Sequence, residues 1–198
     1  TLFAQITSTP LLIRGESNAL RSRPWYKRLV HTAYLRLFDR FLAIGDANRC
    51  FYESYGISTD YIHSAPYCVE NKRFEDAHQN HRTNRSQIRR SFGIPAETTC
   101  FLFSGKLVPK KRPGDLLSAL RKLTDDSVYG LVVGDGVLSD RLRERVQRED
   151  LPVTFTGFLN QTEIGRAYEA ADVLVLPSNY GETWGLVVNE AMIFRCPA

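Results

Sequence analysis

The sequence predicts an α/β protein whose parallel sheets are joined by right-handed crossovers. Three observations carry that prediction. Short β-rich runs are apolar on both faces and close on turn residues, as parallel strands covered by helices on both sides do. Amphipathic helical patterns lie between consecutive runs. The composition is that of an ordinary globular chain, with 198 residues of which 43% are hydrophobic and 24% charged. Such a chain can bury a core. Collagen, disordered tails and disulfide mini-proteins are thereby excluded.

In the first half, residues 11–14 read as a strand and 25–38 as a helix. Residues 41–45 read as a strand, 47–55 as a helix and 61–64 as a short strand. Residues 72–90 are polar with few large apolar side chains, and they read as a surface segment. A domain boundary is placed near residues 66–72. Residues 1–68 then form one domain, 69–98 a crossover with the polar segment, and 99–198 a second domain.

The second half repeats one grammar. The strand 100–103 ends at Ser104 and Gly105. The helix 113–123 sets Leu116, Leu117, Leu120 and Leu123 on one face, with Pro113 near its first position. The strand 128–133 ends at Gly134, Asp135 and Gly136. A charged amphipathic helix spans 139–149, and the strand 153–156 ends at Gly157. In the helix 160–171, Asn160 can cap and Glu163 stands at the capping-box position. The strand 173–176 ends at Pro177 and Ser178, and a last helix covers 185–194. There is no internal repeat and no low-complexity tract.

The chain has 26 basic and 22 acidic residues, a net charge of +4. This mild bias permits an anionic ligand or membrane surface and does not by itself argue for nucleic acid. No apolar run approaches the roughly 18–20 residues of a membrane-spanning helix. The N-terminal stretch lacks the basic start of a signal peptide and a first Met, so the chain reads as a fragment or a processed piece. Cys50, Cys68, Cys100 and Cys196 form no CxxC pair and read as buried reduced thiols of a cytosolic protein, not zinc ligands. His78 and His81 sit in a polar run and read as part of a solvated loop.

Three constellations lie at strand ends, the edge where open α/β sheets bind ligands. Gly105, Lys106, Lys110, Lys111 and Arg112 join a strand end to a helix, and clustered cations there suit phosphates. Taken alone, that cluster is somewhat better explained as a solvated basic loop. Gly134 and Gly136 permit a tight turn and close approach of a ligand, and an ordinary βα turn needs no more. Around residues 177–191, Glu182 lies in a loop and Glu190 eight residues on, inside a helix. Along a helix that separation is about 12 Å, too far to share one proton or one small metal ion. The pair suits two ends of an elongated polyhydroxyl ligand with an anionic middle at the helix N-terminus. A sugar nucleotide has that shape. A helix-start acid and a surface carboxylate are the plain alternatives.

Together these residues resemble the retaining group 1 glycosyltransferases of the GT-B fold. The matching blocks are SGKLVPKKRPGDLLSAL, VVGDGVLSDRL, VTFTGFLNQTEIGRAYEAADVLVLPS and ETWGLVVNE, in order across residues 99–196. APYCVENKRF resembles the family's interdomain crossover. The resemblance implies two Rossmann-like parallel-sheet domains, both incomplete in this chain. It implies transfer of a sugar from a nucleoside-diphosphate sugar to an acceptor hydroxyl with retention, by front-face attack assisted by the leaving diphosphate. Lys106, where the family usually has Arg, and Lys111 would neutralise the diphosphate. Glu182 would touch the transferred sugar, and these three are the implied catalytic residues. Gly105, Gly134 and Gly136 would line the donor site. The amides of Trp184, Gly185 and Leu186 would cradle sugar or phosphate, the backbone around Phe158 would meet the nucleobase, and Glu190 would hold the ribose. No metal and no other cofactor is implied. The acceptor would be a carbohydrate or a lipid-linked one, in polysaccharide biosynthesis, and the setting cytoplasmic, at or near the inner face of a membrane.

Residues 21–40 carry six Arg or Lys and one acid among aromatic and Leu residues, and such a basic amphipathic helix can lie on an anionic membrane. Packing of one face on its own sheet accounts for the same pattern. Arg14 and Glu16 stand at a strand end and are given no catalytic role. A sugar-nucleotide epimerase of the same fold, or a non-catalytic nucleotide- or polyanion-binding module, would share parts of this pattern.

Overall fold

Among the described residues the first sheet holds three parallel strands in the order β1-β2-β3: β1 (Leu12–Arg14), β2 (Arg40–Ala43) and β3 (Ile62–Ser64). The second holds four, in the order β6-β5-β4-β7: β4 (Thr99–Ser104), β5 (Val128–Val133), β6 (Val153–Gly157) and β7 (Val173–Leu174). Both are wholly parallel. The structure is a computed structural model and describes residues 7, 9–20, 22–123, 127–179 and 182–198. The chain folds into two compact units, Thr1–Cys68 and Val69–Ala198.

In the first unit, β1 and β2 are joined through α1 (Trp25–Leu35), and α2 (Asp46–Glu53) follows β2. Phe41, Ala43, Phe51, Tyr52 and Ile62 form its core with Leu35. Leu35 is the one fully buried residue of α1, so this helix rests on its sheet by a narrow contact. Buried Asn48 ties the turn before α2: its Oδ1 accepts from the Ile44 N–H at 3.1 Å and its Nδ2 donates to the Ser17 carbonyl at 2.5 Å.

In the second unit the alternation of side chains along the strands builds two cores. Cys100, Leu102, Leu131 and Val133 face one side, with Phe74, Ile88, Tyr168 and Phe194. Phe103 and Val132 face the other, with Leu116, Leu117, Leu120 and Leu142. Helices α5 (Gly114–Lys122) and α6 (Ser139–Glu149) supply the latter leucines. The first side is covered by α3 (Asn71–His81), α4 (Arg85–Ser91), α7 (Ile164–Ala170) and α8 (Leu186–Ile193).

Three readings of the sequence are corrected here. The polar stretch 72–90 is largely exposed, as a surface segment is, but it is ordered into two helices, α3 and α4, with anchors in the core. Two apolar anchors, Phe74 and Ile88, are buried with only 2% and 5% exposure. A guanidinium clamp adds to them. Arg89, itself buried, donates to Asp172 at 3.0 Å and to the Thr98 and Pro95 carbonyls, while Arg85 donates to Asp172 at 2.7 Å. Asp172 also accepts from the Cys100 N–H at 2.7 Å. Second, His78 and His81 lie on α3, not in a loop, and His78 Nδ1 is 2.8 Å from buried Glu169. Third, Cys50 and Cys68 are exposed, whereas Cys100 and Cys196 are buried. Burial pushes the thiols of the latter two up, to about 12 and about 11.

Other differences are at element ends. The helix expected over 160–171 is regular only at Ile164–Ala170, yet its capping box is present. Asn160 Oδ1 accepts from the Glu163 N–H at 3.1 Å, and Glu163 accepts from the Asn160 N–H at 3.2 Å. Among the described residues no helix is long and apolar enough to cross a membrane.

Candidate active site

The loops leaving β4, β5 and β6 interlock through their backbones. Gly105 N–H donates to the Val133 carbonyl at 3.0 Å, and Gly134 N–H donates to the Gly157 carbonyl at 2.8 Å. Leu107 N–H donates to the Asp135 carbonyl at 2.9 Å, and Leu138 N–H returns a bond to the Leu107 carbonyl at 3.0 Å. This close approach explains two glycines. A Cβ on Gly134 would lie 2.0 Å from the Gly105 oxygen, and one on Gly136 would lie 2.6 Å from the Leu107 oxygen. Both residues also have positive φ, 126° and 157°. Their lack of a side chain is thus required by loop-to-loop packing, independently of any ligand.

Lys106 leaves this edge exposed to solvent, and no ion pair holds it among the described residues. Lys111 ends a 3₁₀ turn, Pro109–Lys111, and its ammonium pairs with the Glu182 carboxylate. Both side chains are mostly buried, at 19% and 21% exposure. Burial alone would raise the Glu182 carboxyl, but the hydrogen bond and charge of Lys111 outweigh it and hold it below the usual carboxylate range. The backbone adds a second tie, since Asn179 N–H donates to the Lys110 carbonyl at 3.3 Å and Glu182 N–H donates to the Asn179 carbonyl at 2.9 Å. Gly181, in the same motif, lies outside the described residues.

Gly185 opens α8 in the left-handed conformation, φ 76° and ψ 48°, with no side-chain cap. No side chain caps the Leu186 and Val187 amides at this helix start, the arrangement that receives anions, while the Val188 N–H donates to the Gly185 carbonyl at 2.9 Å. Trp184 and Leu186 flank this point, both half-buried. Phe158, just past β6, is 76% exposed. Glu190 lies one turn into α8 and is not a plain surface carboxylate. The Tyr168 hydroxyl donates to its Oε2 at 2.6 Å, and burial pushes its carboxyl up against the opposing pull of Tyr168 and Arg73.

The two glutamates are thus held by different elements. Glu182 turns to the loop after β4, and Glu190 turns to α7. Sequence reasoning missed Tyr168, because a Tyr inside an apolar helix face reads as core and its partner is 22 residues away. Arg14 and Glu16 cluster within the first unit instead. The Arg14 guanidinium lies 4.3 Å from the Tyr67 ring centroid, and the Tyr67 hydroxyl donates to Glu16 at 2.5 Å. A groove of about 680 Å³ between α5 and α6 takes in Arg112 of the basic loop but none of the other predicted site residues. Three of its arginines are engaged, Arg112 with Asp115, Arg145 with Glu149 and the Gly114 carbonyl, and Arg148 with Glu149. No group of three or more potential metal ligands occurs among the described residues.

A family model described as glycosyl transferases group 1 matches residues 84–198, more than half of the chain. The chain belongs to the group 1 glycosyl transferases. An uncharacterized glycosyltransferase of Methanocaldococcus jannaschii is 34% identical over 113 residues, covering 56% of this chain and 29% of the relative. A D-inositol 3-phosphate glycosyltransferase of Streptomyces bingchenggensis is 32% identical over 126 residues, covering 57% of this chain and 28% of the relative. The fold is shared with Anabaena HepE, a structure solved with UDP and glucose. The TM-score is 0.78 at 19% identity, over 99% of this chain and 54% of HepE. The two parallel-sheet units are accordingly of GT-B type. The chain spans under a third of those curated relatives and about half of HepE.

Proposed function

We propose that the protein carrying this chain transfers a sugar from a nucleoside-diphosphate sugar to an acceptor hydroxyl with retention at the anomeric carbon. The observation that supports this most is the Lys111–Glu182 pair set beside the uncapped start of α8. Together they offer cations and amides for a diphosphate and a carboxylate for the hydroxyls of a sugar. UDP is the first nucleotide to try, since HepE was solved with it. Lys106, Lys111 and the Leu186 amide bind the diphosphate, Glu182 the sugar, Glu190 the ribose and the backbone at Phe158 the base. Gly105, Gly134, Gly136, Trp184 and Gly185 shape the walls.

In the reaction the bond from the anomeric carbon to the diphosphate oxygen breaks, and its electron pair leaves with the diphosphate. The acceptor oxygen bonds that carbon from the same face, and its proton passes to a departing diphosphate oxygen. The two lysines stabilise the charge that develops on the leaving group. No metal ion is needed for this chemistry. The acceptor is a carbohydrate or a lipid-linked hydroxyl.

The test uses the full-length protein. A ligand that binds the native state raises its melting temperature, so UDP-, GDP- and ADP-sugars are compared by thermal shift. The preferred donor is then incubated with acceptors in the presence and absence of a chelator, and the anomeric configuration of the product is read by NMR. A product of inverted configuration defeats the retention claim, and loss of turnover on chelation defeats metal independence. Binding to heparin or DNA with no response to any sugar nucleotide favours a polyanion-binding module instead.

A specific observation favours peripheral membrane contact as well. Helix α1 leaves Trp25, Tyr26, Leu29, Val30 and Tyr34 exposed, Trp25 by 73%. Lys27, Arg28 and Arg36 lie among and beyond them, while Arg21 lies outside the described residues. An apolar face with flanking cations suits an anionic lipid surface. Cosedimentation of the full-length protein with phosphatidylglycerol vesicles, and not with phosphatidylcholine vesicles, is expected. Equal recovery with both, or with neither, rejects the contact.

A further inference from the structure

Tyr168 carries a hydroxyl that packing alone does not require. Its ring is wholly buried, with centroids 6.4 Å from Phe74 and 5.6 Å from Phe194. A phenylalanine fills the same space. The hydroxyl donates instead to Glu190 Oε2 at 2.6 Å and also engages Ser104, the last residue of β4. Burial pushes the phenol up, so it stays protonated and remains a donor. Among the described residues the Glu190 carboxylate has no other hydrogen-bond partner.

We propose that Tyr168 is a positioning residue of the donor site, which by holding Oε2 of Glu190 turns Oε1 to accept from the hydroxyls of the nucleoside sugar. The inference rests on the reading of Glu190 as the ribose-holding group. A carboxylate has two oxygens and free rotation about its last bond. Fixing one oxygen from a rigid, buried donor leaves the other in a single orientation before the ligand arrives, which lowers the ordering cost of binding. The backbone of α8 sets where the carboxylate is, and α7 sets which way it faces.

The same contact holds a protonation state. Burial favours the neutral acid at Glu190, and two groups oppose it: the Tyr168 hydroxyl from α7 and the Arg73 cation from α3. Ser104 stands behind Tyr168 from β4. Removing the hydroxyl raises the carboxyl further, so a larger fraction is protonated at a given pH and one acceptor is lost. Binding that needs the carboxylate then fails at higher pH than in the parent.

The experiment is calorimetric titration of UDP into full-length protein between about pH 5 and pH 8. The proteins are the parent, Tyr168→Phe, Glu190→Gln and the double variant. Because the phosphate of UDP titrates in all four, only ratios to the parent are read. Tyr168→Phe is expected to weaken UDP about tenfold at neutral pH, to move the acid-side loss of affinity upward in pH, and to keep the parent's cooperative melt. Glu190→Gln is expected to weaken UDP and to lack that acid limb, and adding Tyr168→Phe to it should change affinity by less than about twofold. If Tyr168→Phe binds UDP as the parent does while Glu190→Gln does not, the positioning role is overturned and the donor reading stands. Equal weakening by Tyr168→Phe with and without Glu190 shows an effect through the fold, and also overturns the role. If Glu190→Gln itself binds UDP normally, the reading of Glu190 falls first.

Discussion

Lys111 and Glu182 stand 71 residues apart in sequence and form one ion pair between the loop after β4 and the loop before α8. In the absence of ligand each neutralises the other. On the proposed donor reading, a diphosphate that takes the lysine would leave the carboxylate to accept from sugar hydroxyls, so the parts of one donor molecule would exchange partners with the pair. This relationship separates the roles of the two glutamates.

Glu182→Gln removes the partner charge from Lys111 without removing the lysine. The variant should bind sugar-free UDP at least as well as the parent, because the ammonium is released. It should weaken UDP-sugar by about 1–3 kcal/mol, the worth of a lost carboxylate hydrogen bond, or slow transfer correspondingly. Glu190→Gln should weaken both ligands alike. A two-by-two calorimetric comparison, with circular dichroism as a control of fold, reads the difference. Equal weakening of sugar-free UDP by both variants would remove the division of labour.

The two lysines differ in exposure, and salt should tell them apart. Lys106→Ala removes an exposed charge and should cost under about 1 kcal/mol in UDP affinity, a loss that fades between low and high salt. Lys111→Ala removes a mostly buried ammonium and should cost about 1.5–3 kcal/mol, with little dependence on salt. Neither should affect uridine, which lacks the diphosphate. A loss of uridine binding equal to that of UDP would show that the lysines do not meet phosphate.

Gly134→Ala should destabilise the second unit by more than the roughly 1–3 kcal/mol of backbone strain at positive φ. Its Cβ would meet the Gly105 oxygen at 2.0 Å, and backbone cannot swing aside as a side chain can. Gly56→Ala is the control. Gly56 has φ 81° with nothing within 4 Å of a Cβ, so it should show the conformational cost alone. Urea melts of both variants check the ranking, and equal losses would refute the interlocked-loop explanation.

Stability should fall in acid partly through Asp172. Burial would raise this carboxyl, but the Cys100 N–H and the Arg85 and Arg89 guanidiniums outweigh it and hold it below the ordinary value of about 3.9. A lowered folded-state value means that the native state binds fewer protons. The stabilisation is complete above the unfolded value and disappears as pH falls through the lowered one. Asp172→Asn should cost about 1.5–3 kcal/mol at neutral pH, because buried Arg89 loses its counter-ion. It should also flatten the acid limb of stability against pH, and chemical melts between about pH 2 and pH 7 measure both effects.

Much of this was legible in the chain itself. Two-sided apolar strands alternating with amphipathic helices determine a parallel α/β architecture, because side-chain periodicity is local: Cys100, Leu102 and Phe103 declare both faces of β4 before any partner is known. Turn residues likewise mark the strand ends at which the candidate site residues stand, and β5 and α6 begin and end where the pattern says. Tertiary structure alone decided the rest. Helices α3 and α4 have too few apolar residues for a periodic signal, and they are fixed by Phe74, Ile88 and a clamp of Arg85 and Arg89 on Asp172, bonds that span more than 80 residues. The pairing of Lys111 with Glu182 and of Tyr168 with Glu190 was equally invisible. Which partner a charge or hydroxyl meets depends on the register of separate elements brought together by burial, and no local pattern of residues encodes that register.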